Sequence, residues 1–151
     1  MMLVDKILPF EMDAQEGKLL CWAAIAVSVK RFYTPRFSVS QIDFARSVHG
    51  DNFDQVCSPL KAMAHIGLDY IETIGILPKE VLLQHMENGN PILACMRYFI
   101  GWHLVVIHGV TTKGEILIAD PMHGQSSYNY LDFVRAYRVH YQWTQSYHLP
   151  L

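Results

Sequence analysis

Apolar positions follow a helical spacing through the first half of the chain and form strand-like runs in the second. Over residues 20–33 almost the whole circumference is apolar and mostly small, with Ala23, Ala24, Ile25, Ala26 and Val27 in succession, which predicts a helix packed on several sides. Thr34-Pro35 ends it, because the residue before a proline is driven out of the helical region. Ser38-Val39-Ser40-Gln41 reads as a capping box with Ser38 as the cap, opening a short helix that runs to about Val48, turns Ile42, Phe44 and Ala45 inward and stops at Gly50. A second short helix is expected from Phe53 or Ser58 to His65, closed by Gly67, with a short strand over 69–73 after it. Pro78 suits the first turn of a further helix through Met86, ended by the Glu87-Asn88-Gly89-Asn90 turn.

Beyond Pro91 the spacing changes. Ile92-Leu93-Ala94-Cys95-Met96, Leu104-Val105-Val106-Ile107 and Glu115-Ile116-Leu117-Ile118-Ala119 predict strands, and Thr112-Lys113-Gly114 supplies a tight hairpin between the second and third. After a helical turn over 131–136, the aromatic-rich, alternating segment 138–147 predicts a last antiparallel strand. Residues 1–18, with Pro9 and Gly17, read as an irregular lead-in lying across the domain. Helices first and antiparallel strands later is the α+β pattern of segregated layers, with the helix over 20–33 at its centre.

At 151 residues, 51% of them apolar, the chain fits one domain over 1–151 with a real core. A net charge of −2 and no run of lysine or arginine argue against nucleic acid as a partner. The longest apolar run, over 19–29, falls short of the roughly 18–20 residues a membrane span needs. Met1-Met2-Leu3-Val4-Asp5-Lys6 lacks the basic start and apolar stretch of a secretory signal, so the expected location is cytoplasmic, or outside by another export route. Cys21, Cys57 and Cys95 are odd in number and widely spaced, which excludes a disulfide framework and leaves Cys57 and Cys95 as expected core residues. The eight histidines form no H-E-x-x-H or H-x-H pair, and no metal site is expected.

The candidate chemistry centres on Cys21, which opens the apolar helix six residues after Gln15. A thiolate at a helix N-terminus is stabilised by the helix dipole and by unpaired N–H groups, and an upstream amide can donate to an oxyanion. Such a nucleophile needs a base and a group to orient it. Alternation over 103–110 puts His103, Val105, Ile107 and Gly109 on one face and Leu104, Val106 and His108 on the other, so only one of the two histidines faces a given helix. The hairpin at Lys113-Gly114 returns Asp120 to within a few positions of His103, where it can accept from the ring, and Pro121 fixes the backbone beyond it. Singly, each residue has an ordinary structural role: a core thiol, a strand-edge histidine, a strand-to-turn aspartate. Their joint order, Gln15, Cys21, His103, Asp120, points to a nucleophilic triad.

Gln15 with Cys21-Trp22-Ala23-Ala24, Asn90-Pro91-Ile92, Gly101-Trp102-His103-Leu104-Val105-Val106 and Ile116-Leu117-Ile118-Ala119-Asp120-Pro121 together resemble the small bacterial papain-like cysteine proteases. Compact effector and toxin proteases are nearest in character, with the bacteriocin-processing peptidase domains of ABC exporters as cousins. The resemblance implies a papain-like fold in which the nucleophile helix packs on the C-terminal antiparallel sheet. It implies Cys21 as nucleophile, His103 as general base and acid, Asp120 as orienting group where many relatives use asparagine, and Gln15 with the Cys21 N–H as oxyanion donors. It implies no cofactor, a protein substrate and, for a toxin, a cognate immunity or inhibitor protein. Two departures stand out: Leu20 before the cysteine, expected to narrow the cleft, and Trp102 between Gly101 and His103, which leaves the strand register open. The same triad on another substrate would make a peptidoglycan amidase or endopeptidase, or a glutamine deamidase, although the chain lacks an Asp-Cys-Ser-Gly-type motif and a basic wall-binding segment. A binding module carrying the triad as a relic is the remaining reading, and it requires a cysteine inert to iodoacetamide.

Overall fold

The structure, a computed structural model, describes residues 4–151; Met1, Met2 and Leu3, which begin the expected lead-in, lie outside the described residues. In chain order the elements are β1 (Lys6–Ile7), α1 (Cys21–Tyr33), α2 (Gln41–His49), α3 (Pro59–His65), β2 (Ile71–Ile74), α4 (Lys79–Glu87), β3 (Ile92–Tyr98), β4 (Gly101–Val110), β5 (Glu115–Asp120), β6 (Gly124–Asn129), α5 (Tyr130–Arg135) and β7 (Gln142–His148). The strands form one antiparallel sheet in the order β2-β7-β3-β4-β5-β6, with β1 added to β4 through Lys6↔Val110 and Ile7↔Gly109.

Period-two alternation divides the central strands between two cores. Leu93, Cys95, Leu104, Val106, Ala119 and Tyr147 pack with α1, α2 and α3, whereas Ile92, Ala94, Met96, Val105, Ile107, Ile116, Ile118 and Trp143 pack with Leu82 and Met86 of α4 and Phe133 of α5. Covered on both faces, β3, β4 and β5 carry the continuous apolar runs that marked them in the sequence. Helix α1 is buried from Cys21 to Val29, as its small apolar circumference predicts.

Several local expectations change. The N-cap of α2 is Ser40, whose side chain accepts from the Asp43 N–H, and not Ser38; both serines precede the same apolar stripe, and the backbone places Ser40 at the extended position a cap needs. The lead-in contains β1, held by two ladder pairs, and the polar segment Gly124–Asn129 is a strand because β5 offers it an edge. The last strand starts at Gln142, since residues 138–140 turn first and Tyr141 bridges back to Tyr137. A bulge between Ile107 and Gly109 ends the simple alternation of β4, so Val110 joins the face of Val105 and Ile107.

His85 of α4 is fully buried, its ring 4.8 Å from that of His148, and neither ring nitrogen has a hydrogen-bond partner among the described residues. Burial, reinforced by His148, lowers its pKa to about 4. A histidine depressed in the folded state adds stability above its ordinary pKa near 6.5, and that contribution is lost as pH falls toward 4. Urea unfolding is therefore expected to show a loss of about 2–3 kcal/mol between pH 7 and pH 4 that His85→Leu largely removes. Equal slopes in the two proteins would refute this.

Candidate active site

The approach to Cys21 is strapped to the body of the domain at several points. Asp13 makes a paired salt bridge with Arg31 of α1 at 2.8 and 3.2 Å, and its N–H donates to Ser28 Oγ. The buried Gln41 side chain accepts from the Glu16 N–H at 2.9 Å and donates to the Ala14 carbonyl at 2.8 Å, while the Gln15 N–H donates to the Pro121 carbonyl. Gln15 is thus fixed between α2 and the residue after Asp120. Gly17 then makes the turn into α1, where a Cβ would come within 2.9 Å of Asp54 Oδ1 and 3.0 Å of Leu20 Cδ1.

Leu20 occupies the N-cap of α1 and provides no side-chain acceptor. Its own side chain is only 1% exposed and sits in the core, so it does not narrow the cleft. Among the described residues the N–H groups of Cys21 and Trp22 have no acceptor, which leaves the positive end of the helix dipole open beside the thiol. The Trp22 indole anchors this turn by donating to the Gln55 carbonyl at 2.8 Å.

His103 shares its face of β4 with Val105, away from α1, whereas His108 faces the α1 side and stacks 6.0 Å from Phe10. Cys21 nevertheless lies close enough to His103 to raise its pKa, because Cys21 is the first residue of α1 and His103 the third of β4, both at element ends. The register is settled by Met96↔His103 and Arg97↔Trp102. Extending Val106↔Ala119 puts Asp120 opposite Val105, a diagonal neighbour of His103, and Asp120 Oδ1 lies 2.7 Å from His103 Nε2. That bond leaves Nδ1 as the nitrogen for the thiol. Burial opposes a charge on His103, yet the bond to Asp120 and the contact with Cys21 outweigh it and raise its pKa to about 9.

Asp120 is 2% exposed and accepts from four donors: His103 Nε2, the Met122 and His123 N–H groups on Oδ1, and the Tyr137 hydroxyl on Oδ2 at 2.7 Å. Burial pushes its pKa up, but these donors more than compensate and hold it below the ordinary carboxylate value. Tyr137, along with His123 and Tyr141, whose rings lie 6.0 and 5.9 Å from that of His103, escaped the sequence reading. A tyrosine destined for burial needs a hydroxyl partner, but nothing in its neighbours along the chain says which.

Gln15 differs from a preset oxyanion donor. Its Nε2 donates to the Gly17 carbonyl at 2.9 Å and the Lys18 carbonyl at 3.2 Å, while its Oε1 is buried without a partner among the described residues. Cys57 and Cys95 are buried free thiols, and burial pushes the Cys95 thiol up to about 11. Both line an open cavity of about 370 Å³ with Glu72, Arg97, Trp102 and Tyr147. Among the described residues no group of three or more His, Cys, Asp and Glu is placed to hold a metal ion, and no helix is long and apolar enough to cross a membrane.

A family model described as papain-like cysteine protease AvrRpt2 matches residues 4–138. Among solved structures, the peptidase domain of Streptococcus ComA, a bi-functional ABC transporter involved in a quorum sensing pathway, superposes with a TM-score of 0.63. The two chains are 14% identical, and the match covers 94% of this chain and 99% of that one. No curated protein matches this chain.

Proposed function

The chain belongs to the papain-like cysteine protease family of AvrRpt2 and is a papain-like cysteine peptidase, and from that premise we propose that Cys21, His103 and Asp120 carry out the hydrolysis of peptide bonds in a protein substrate. The observation that carries the assignment is the single line from the open end of α1 through His103 to the four-donor Asp120. Cys21 attacks the scissile carbonyl as a thiolate, its proton resting on His103 Nδ1. The oxyanion takes hydrogen bonds from the Cys21 N–H and from Gln15, whose amide releases a carbonyl of the 17–18 turn to do so. The C–N bond breaks as His103 gives its proton to the leaving amine, leaving a thioester on Cys21. Water then attacks the thioester, His103 takes its proton, and the carboxylate product leaves with the thiol restored.

By family resemblance the biological setting is an effector or toxin protease acting in another cell, countered by a cognate inhibitor. Exposing purified enzyme to a denatured proteome and to purified sacculi tests the substrate class: new protein N-termini absent from a Cys21→Ala control are expected, and muropeptide release without new N-termini would turn the reading to a wall peptidase. Gln15→Ala is expected to lower kcat by roughly a hundredfold with little change in KM, as loss of one oxyanion donor does. An unchanged kcat would confine Gln15 to a structural role in the turn.

A further inference from the structure

The turn between α5 and β7 is built at a cost. Arg138 and Val139 have φ of 47° and 72°, the two non-glycine residues at positive φ among those described, and a β-branched residue tolerates that region poorly. Val139 is 80% exposed, so no packing of its own side chain offsets the strain. What holds the turn is a reciprocal pair of backbone bonds, Tyr137 N–H to the Tyr141 carbonyl at 2.9 Å and Tyr141 N–H to the Tyr137 carbonyl at 3.0 Å. The result is that both tyrosines reach the His103–Asp120 pair. The Tyr137 hydroxyl donates to Asp120 Oδ2, the oxygen His103 does not use, and the Tyr141 ring lies tilted against those of Tyr98 and His103, with centroids 4.9 and 5.9 Å away.

We propose that this strained turn is a positioning element of the active site, in which Tyr137 locks the Asp120 carboxylate so that His103 is held toward Cys21, and Tyr141 closes the turn over the imidazole. The inference rests on the peptidase reading of Cys21, His103 and Asp120. Tyr137 itself is fully buried among Tyr128, Phe133 and Tyr141, so its ring would be satisfied by packing alone; the hydroxyl is what ties it to the site. Among the described residues, the titratable and charged groups around the pair are Cys21 from α1, His123 from the turn after β5, and Tyr137, Arg138 and Tyr141 from this turn, with Tyr98 of β3 behind Tyr141. Of these, Tyr137 is the one that donates directly to the anion from a side chain other than the imidazole.

Tyr137→Phe keeps the ring and removes the donor. Two readouts separate positioning from mere packing: the pH dependence of Cys21 alkylation by iodoacetamide, which needs no substrate, and the division of any kinetic loss between kcat and KM on the cleaved protein. Without the hydroxyl the Asp120 anion is less stabilised, so the acid limb of the alkylation profile is expected to move to higher pH, and kcat is expected to fall roughly tenfold to a hundredfold with KM unchanged, the usual size for a partner that orients a functional group. Tyr128→Phe, 5.2 Å away in the same aromatic cluster, is the control and is expected to leave the profile in place. A Tyr137→Phe protein with the wild-type alkylation profile overturns the inference, whatever its melting temperature. The peptidase reading fails differently, with a wild-type protein that generates no new N-termini.

Discussion

Cys21→Ala is expected to lower kcat/KM on the cleaved protein by roughly 10⁴-fold or more while leaving the fold in place. In the proposed mechanism the thiol supplies the one atom that forms the covalent intermediate, and the open N–H groups of α1 alone would leave oxyanion stabilisation without a nucleophile to use it. Structurally the change is mild: alanine is the best helix former, and Cys21 heads a helix whose next turns are already alanine-rich. Iodoacetamide provides the companion measurement. It is expected to modify Cys21 first and to inactivate the enzyme at one equivalent, because Cys21 stands at the open end of α1 beside His103, whereas burial raises the pKa of Cys57, and that of Cys95 to about 11, and keeps both thiols protonated. Undiminished cleavage by Cys21→Ala, or inactivation that tracks another cysteine, would overturn the assignment.

Substitutions at Asp120 divide its structural role from its electrostatic one. Asp120→Ala strips the acceptor from His103 Nε2, two backbone N–H groups and the Tyr137 hydroxyl inside the protein, and is expected to cost about 3–5 kcal/mol of stability together with most of the activity. Asp120→Asn keeps an oxygen for His103 and the backbone donors, and Tyr137 can reverse its hydroxyl to accept from the amide, so the fold is expected to survive. What the amide lacks is charge. The raised pKa of His103 means that its contribution to stability is full below about 6.5 and is lost as pH rises through about 9; the lowered pKa of Asp120 means that its contribution is present above the ordinary carboxylate value and is lost as pH falls through the depressed one. Wild-type activity and stability should therefore both decline as pH rises through about 9, and in Asp120→Asn the alkaline limb of kcat/KM should move down toward the ordinary histidine range. Profiles from pH 5 to 10 decide the matter, and an alkaline limb that stays put in Asp120→Asn would show that the carboxylate does not control the imidazole.

Legibility varied with how local the cause was. Helix α1 and strands β3, β4 and β5 were plain because residues adjacent in sequence carry the burial that fixes them: an apolar circumference in one case, apolar runs covered on both faces in the others. The pairing of His103 with Asp120 followed from a hairpin, whose short loop leaves the register little freedom. Strands β1 and β6 were invisible because their own residues are few or polar, and the edges of β4 and β5 make them strands. The meeting of Cys21 with His103 defeats simple alternation, which places His108 and not His103 on the side of α1; the two meet because both stand at the ends of their elements.

Residue types and spacing alone determined a cysteine at a helix start, a histidine at a strand start and a carboxylate one hairpin away. The partners of those groups were decided in three dimensions: the engagement of the Gln15 amide with the 17–18 turn, the burial of Leu20, and the Tyr137 hydroxyl on Asp120. Local spacing sets which backbone conformation a segment adopts, but a hydrogen bond or a buried contact between distant segments depends on how whole layers dock, and that energy belongs to the assembled core.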